Sequence, residues 1–217
     1  MPDGLPISKP LLKRGGARNR ADRTSWQLTE RQCHKVLDAS FAAWDAGMPL
    51  NRFITLAWGH GGIDAGDSVK ATGKFVRLAR EWMAARGYSM PWVWVQERGD
   101  SLGQHAHLLL SVPAELEPLF RPMPLRWTKS LLPQHYVRDT LDTQRLQFAH
   151  TANTEAYRAQ LLGKLHYMLK CAPAALEGPL RMTGWGYTEW GQSCHVIGKR
   201  VGVWQTWKEA HGGLNGP

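Results

Sequence analysis

Apolar residues recur at helical spacing in three parts of this chain and at strand spacing in four others. Val36, Leu37, Phe41 and Trp44 follow Thr29-Glu30-Arg31-Gln32, which has the form of a capping box, and Gly47 supplies a stop. A helix is therefore expected from about Thr29. Phe75, Leu78, Ala79, Trp82 and Met83 predict a second helix from about Ser68 to Arg86, ended by Gly87. Tyr157, Leu161, Leu165, Met168 and Leu169 predict a third from Thr154 to Cys171, with Thr154 as its cap. The β-branched and aromatic run Arg52 to Trp58 reads as a strand, broken by Gly59-His60-Gly61-Gly62. Trp92 to Glu97 and Gln104 to Val112 read as two more, the latter ended by Pro113. So short a loop joins them, Arg98 to Gly103, that they should form an antiparallel hairpin. Residues 113–135 carry five prolines and read as loop or broken helix, and Val196 to Val203 as a last strand. The sum is an α+β fold, a central antiparallel β-sheet with flanking helices.

Composition divides the chain further. Residues 1–25 are rich in Pro, Gly and Arg without periodicity and read as a flexible basic arm; 26–210 read as a single domain and 211–217 as a flexible tail. The 217 residues hold 27 Lys and Arg against 18 Asp and Glu, a net charge of +9, which favours an anionic partner with nucleic acid the first candidate. Cys33, Cys171 and Cys194 are widely spaced, without a Cys-x-x-Cys pair. They signal neither a disulfide framework nor a cysteine zinc site, and fit a reducing, cytoplasmic setting. The basic N-terminal stretch lacks the apolar region of a secretory signal, and no apolar run approaches the roughly 18 residues of a membrane span. A phosphate loop of the Gly-x-x-x-x-Gly-Lys-[Ser/Thr] type is missing, so any strand unwinding would need a separate helicase.

Chemistry concentrates in the hairpin. Residues two apart on a strand share a face, so His105 and His107 leave Gln104-His105-Ala106-His107 on one side. A turn centred on Ser101 sets Glu97 opposite His105, and directly opposed residues share a face. Two imidazoles and a carboxylate would hold a metal with positions left open for water or substrate. The mixed nitrogen and oxygen set suits Mg²⁺ or Mn²⁺, and zinc also accepts these ligand types. A one-residue slip would carry Glu97 to the other face. On the last helix, Tyr167 and Lys170 are three apart and Lys164 is one turn away. A tyrosine can be a covalent nucleophile, but its pKa near 10 demands a nearby cation. Read alone, the same residues also suit an amphipathic helix with a structural tyrosine.

Taken in order, these motifs resemble those of the HUH endonuclease superfamily, in particular its rolling-circle replication initiator (Rep) branch with a single catalytic tyrosine. The match runs through Phe53-Ile54-Thr55-Leu56-Ala57, His105-Ala106-His107 and Tyr167-Met168-Leu169-Lys170, over roughly residues 50–172. Ala57 departs from the polar residue often found at that point, and Tyr157 lies too far back to be a paired nucleophile. The resemblance implies a ferredoxin-like related sheet with the histidine pair on a central strand, helices mainly on one face and the tyrosine on a following helix. It implies His105, His107 and Glu97 as ligands of a divalent ion, and Tyr167 as the nucleophile that nicks and rejoins single-stranded DNA through a 5′-phosphotyrosine. Lys170 would balance charge at the phosphate. The partner would be single-stranded DNA at a replication origin of a plasmid or phage, a hairpin among its forms, in the cytoplasm of a bacterial or phage-infected cell. A single-tyrosine transposase, a relaxase and a non-catalytic nucleic-acid-binding protein are the alternatives. Lys164, Arg121, Arg126, Lys129, Lys199 and Arg200 are candidates for phosphate contacts, and Trp185, Trp190, Trp204 and Trp207 for base stacking.

Overall fold

The two strands of the expected hairpin, β3 (Trp92–Gly99) and β4 (Gly103–Leu110), pair antiparallel with Glu97 opposite His105, the register set by a turn centred on Ser101. β2 (Arg52–Leu56) pairs with the other side of β4, which brings Thr55 opposite His107. A computed structural model, describing residues 22–181 and 195–205, shows these strands within one antiparallel sheet in the order β5-β2-β4-β3-β7. The histidine strand is thus its middle strand. The remaining members are β5 (Leu141–Arg145) and β7 (Val201–Val203). A separate two-stranded ribbon joins β1 (Thr24–Ser25) to β6 (Val196–Ile197).

The helices follow local chemistry. In α1 (Glu30–Asp45) the capping box is complete, since the Thr29 hydroxyl accepts from Gln32 N at 3.3 Å and Gln32 Oε1 accepts from Thr29 N at 2.9 Å. α2 spans Ala65–Ala84, starting before the expected Ser68. The proline-rich stretch forms a 3-10 turn, then α3 (Glu117–Phe120) and α4 (Met123–Leu131). Pro118 and Pro124 fall in the first turns of these two helices, where a missing N–H costs nothing. α5 (Thr154–Met168) is capped by Asn153 rather than Thr154, its Oδ1 accepting from Ala156 N at 3.1 Å.

Several expectations need correction. Helices cover both faces of the sheet, not mainly one. α1 and α5 lie on the histidine face, with Trp44 edge-on to Tyr157 at 5.2 Å. α2 and α4 lie on the other, where Gln96 bonds Ser68 and Thr72 of α2 and Phe75 meets Trp127 at 5.7 Å. The cause is visible in the strands. Val93, Val95 and Leu109 are buried on one face, Trp92, Trp94, Leu108 and Leu110 on the other, so neither face can be left to water. β5 escaped prediction because Leu-Asp-Thr-Gln-Arg is polar and mostly exposed; it joins by backbone pairing with β2. The single last strand is split at Gly198, whose φ is +89°, into β6 and β7. Thr24 and Ser25, at the end of the expected basic arm, already belong to the ribbon. Cys171, just after α5, is disulfide-bonded, which its sequence spacing did not signal; Cys194 lies outside the described residues. Among the described residues no helix is long and apolar enough to cross a membrane.

Candidate metal centre and nucleophile

Two strands and the turn beyond α5 meet at a single carboxylate oxygen. Glu97 Oε1 lies 2.7 Å from His105 Nε2, 2.5 Å from His107 Nε2 and 2.6 Å from Lys170 Nζ. Glu97, His105 and His107 are all buried. The far nitrogen of each imidazole is also held. His105 Nδ1 lies 2.9 Å from the Gly103 carbonyl, and His107 Nδ1 lies 3.0 Å from the Thr55 hydroxyl. Such partners fix ring orientation and leave the other nitrogen to a metal.

The protonation pattern tests whether a cation fits. The Gly103 carbonyl can only accept, so His105 Nδ1 carries a proton. Its Nε2, like that of His107, meets Glu97 Oε1, so both imidazoles turn toward the carboxylate the nitrogen that a metal would take. Burial, which favours a neutral ring, pushes His107 below its ordinary value against the pull of Glu97. Burial opposes charge on Glu97, but His107 and the hydrogen bonds from both histidines hold its carboxyl well below the usual carboxylate range. Glu97 Oε2 is buried with no hydrogen-bond partner among the described residues. Two imidazole nitrogens, a carboxylate held in its ionised form and its orphaned oxygen are donor types that a divalent ion accepts. The ligand atoms lie within 4.8 Å of one another, so Glu97, His105 and His107 could hold one.

Tyr167 stands beside this group. Its ring lies 4.9 Å from that of His107 and 6.2 Å from Phe53, and at 37% exposure its remaining side reaches solvent. Lys170 falls in the turn beyond α5 rather than on the helix, and its ammonium lies 4.0 Å from the Tyr167 ring centre. One cation therefore touches both the carboxylate and the tyrosine. Lys164 reaches the rim, 4.6 Å from the Phe53 ring, with its ammonium donating to Gln144 Oε1 at 2.6 Å. Burial lowers the Lys164 pKa, with Asp142 opposing.

The other candidates lie elsewhere. Arg126 and Lys129 are exposed on α4, across the sheet from the histidines, and Arg121 is exposed just after α3. Lys199 is exposed on the link between β6 and β7, 5.5 Å from the Trp94 ring. Arg200 is no surface phosphate contact. It is buried, donating from Nη1 to the Ser25 carbonyl at 2.9 Å, and burial pushes its pKa down to about 10 against the attraction of Glu97 and Cys33. Trp204 is no stacking platform either, being buried with its indole N–H on the Ala39 carbonyl; Trp185, Trp190 and Trp207 lie outside the described residues. Tyr157 is buried and donates to the Leu50 carbonyl, which makes it a packing residue.

Sequence reading gave no role to Thr55 or Phe53. Thr55 props His107, and Phe53 stacks on the same ring at 5.3 Å. Their only signal was membership of the first motif, since the pairing of β2 with β4 joins segments about fifty residues apart. No protein-family model, curated protein or solved structure matches the chain.

Proposed function

We propose that this protein is an HUH-type, metal-dependent endonuclease that nicks and rejoins single-stranded DNA through Tyr167, in the manner of a rolling-circle replication initiator. The observation that carries the reading is the convergence of Tyr167 and Lys170 on the Glu97, His105 and His107 group. A nucleophile, a cation beside it and a set of metal donors meet at one partly open spot.

The chemistry follows from placement. A divalent ion held by Glu97, His105 and His107 would supply Lewis-acid polarisation of the scissile phosphate. The Tyr167 oxygen loses its proton and attacks phosphorus, the bond to the 3′ oxygen breaks, and that oxygen leaves as a hydroxyl after taking a proton. One phosphoester replaces another, so a later 3′-hydroxyl can reverse the step without ATP. The Lys170 ammonium lies over the Tyr167 ring and against Glu97, a cation placed between the nucleophile and the ligand set. Thr55 and the Gly103 carbonyl keep the imidazoles in place.

The test is covalent capture. The chain is incubated with labelled single-stranded DNA and Mn²⁺ or Mg²⁺, then denatured. A labelled protein band is expected, lost on chelation, in Tyr167→Phe and in His105→Ala. Cleavage without attachment would identify a hydrolase with a structural tyrosine. An adduct formed by Tyr167→Phe would sink the assignment.

A further inference from the structure

The ribbon of β1 and β6 carries the most exposed large apolar side chain among the described residues, Trp26 at 65% exposure. The ladder pairs Thr24 with Ile197 and Ser25 with Val196, so the next step places Trp26 across from His195 on one face. Their rings lie 4.6 Å apart and 32° from coplanar. Val196, one step along, is fully buried, which turns Trp26 outward. The indole is thus backed on one face by an imidazole while much of its surface stays open to solvent.

We infer that Trp26, backed by His195, is a stacking platform for an unpaired base of the single-stranded DNA that enters the Tyr167 site. The inference rests on the nicking function proposed above and adds where the strand is gripped. Position supports it. Leu28, two residues after Trp26, donates its N–H to the Cys171 carbonyl at 2.9 Å, and the preceding residue is Lys170, which contacts Glu97 and the Tyr167 ring. Two residues span at most about 7 Å of chain, so the platform is tied closely to the helix end that carries the nucleophile. The ribbon also borders a cleft of about 890 Å³ lined by Arg23, Arg31, Lys35 and Lys199 together with Glu30 and Asp38; Trp26 and His195 are not part of that lining, so the platform stands on the ring pair and its tie to the end of α5.

The experiment measures fluorescence anisotropy of a labelled mixed-sequence oligonucleotide at fixed salt, with the full chain carrying Tyr167→Phe so that no adduct forms. Trp26→Ala should weaken single-strand binding about 5- to 150-fold. Trp26→Phe should recover most of it, and affinity for the matching duplex, whose bases are already stacked, should not change. An unchanged thermal melt shows that the exposed substitution leaves the fold intact. Unchanged single-strand affinity in Trp26→Ala, or an equal loss for duplex, overturns the platform. A wild-type dimer dispersed by Trp26→Ala with DNA affinity unaltered identifies a second copy as the occupant, and also overturns it. Covalent capture by the Tyr167 chain reports separately on nicking. Adduct formation with no Trp26 effect defeats the platform alone, a Trp26 effect without adduct supports the platform and defeats the nicking, and no DNA binding by either form defeats both.

Discussion

At the scale of single residues, Thr55 and Cys33 make contrasting cases. The Thr55 hydroxyl holds His107 Nδ1. Thr55→Val keeps the shape of the side chain and removes that bond, so metal affinity should fall about 10- to 100-fold while the melt changes little. Titration calorimetry with Mn²⁺ reads this directly, and unaltered affinity would mean that packing alone orients the ring. Cys33 sits fully buried on α1, where burial pushes its thiol up to about 11. It should resist iodoacetamide near pH 8 in the folded chain and react once the chain is denatured, because only the thiolate is nucleophilic. Mass spectrometry of the alkylated peptide distinguishes the two states.

At the scale of elements, close approach decides what the strands tolerate. A Cβ at Gly202 of β7 would sit 2.3 Å from the Trp94 ring of β3. Gly202→Ala should therefore lower the thermal midpoint, with about 1–3 kcal/mol of overpacking, unless the Trp94 side chain is also made smaller. Loss of the Asn153 cap matters for a different reason, since α5 carries Tyr167 at its other end. Asn153→Ala should cost about 1 kcal/mol and leave the Tyr167 end in place. A denaturant titration of both variants compares the two effects. The hairpin was legible because its turn, period and register are local. β5 was not, because a polar edge strand is specified by what it pairs with rather than by its own side chains.

For the whole molecule, the buried Glu97 and His107 side chains tie stability to pH. Glu97 and His107 both have folded pKa values depressed below their ordinary 4.5 and 6.5. In each case the unfolded chain takes up the proton first, so stability falls as pH falls. The loss should begin near pH 6.5 with His107 and deepen below 4.5 with Glu97. Mn²⁺ or Mg²⁺ at neutral pH should raise the melting temperature in a concentration-dependent way, because a ligand that binds only the folded state stabilises it. Glu97→Gln should abolish that rise. A melting temperature indifferent to Mn²⁺ and Mg²⁺ in the unaltered chain would count against a site for either ion.

By itself the sequence determined what is local in physical origin: the capped helix, the hairpin, its register, and with them the shared face of Glu97, His105 and His107. Period and turn length are properties of neighbouring residues, and they suffice for that. Tertiary structure decided the rest. It brought Thr55 and Phe53 to His107 across β2, turned the Lys170 ammonium back from beyond α5 onto Glu97, buried Arg200 and left Trp26 exposed. Those outcomes depend on which distant segments pair and pack, and hydrophobic pattern along a chain says that a face is covered without saying by what.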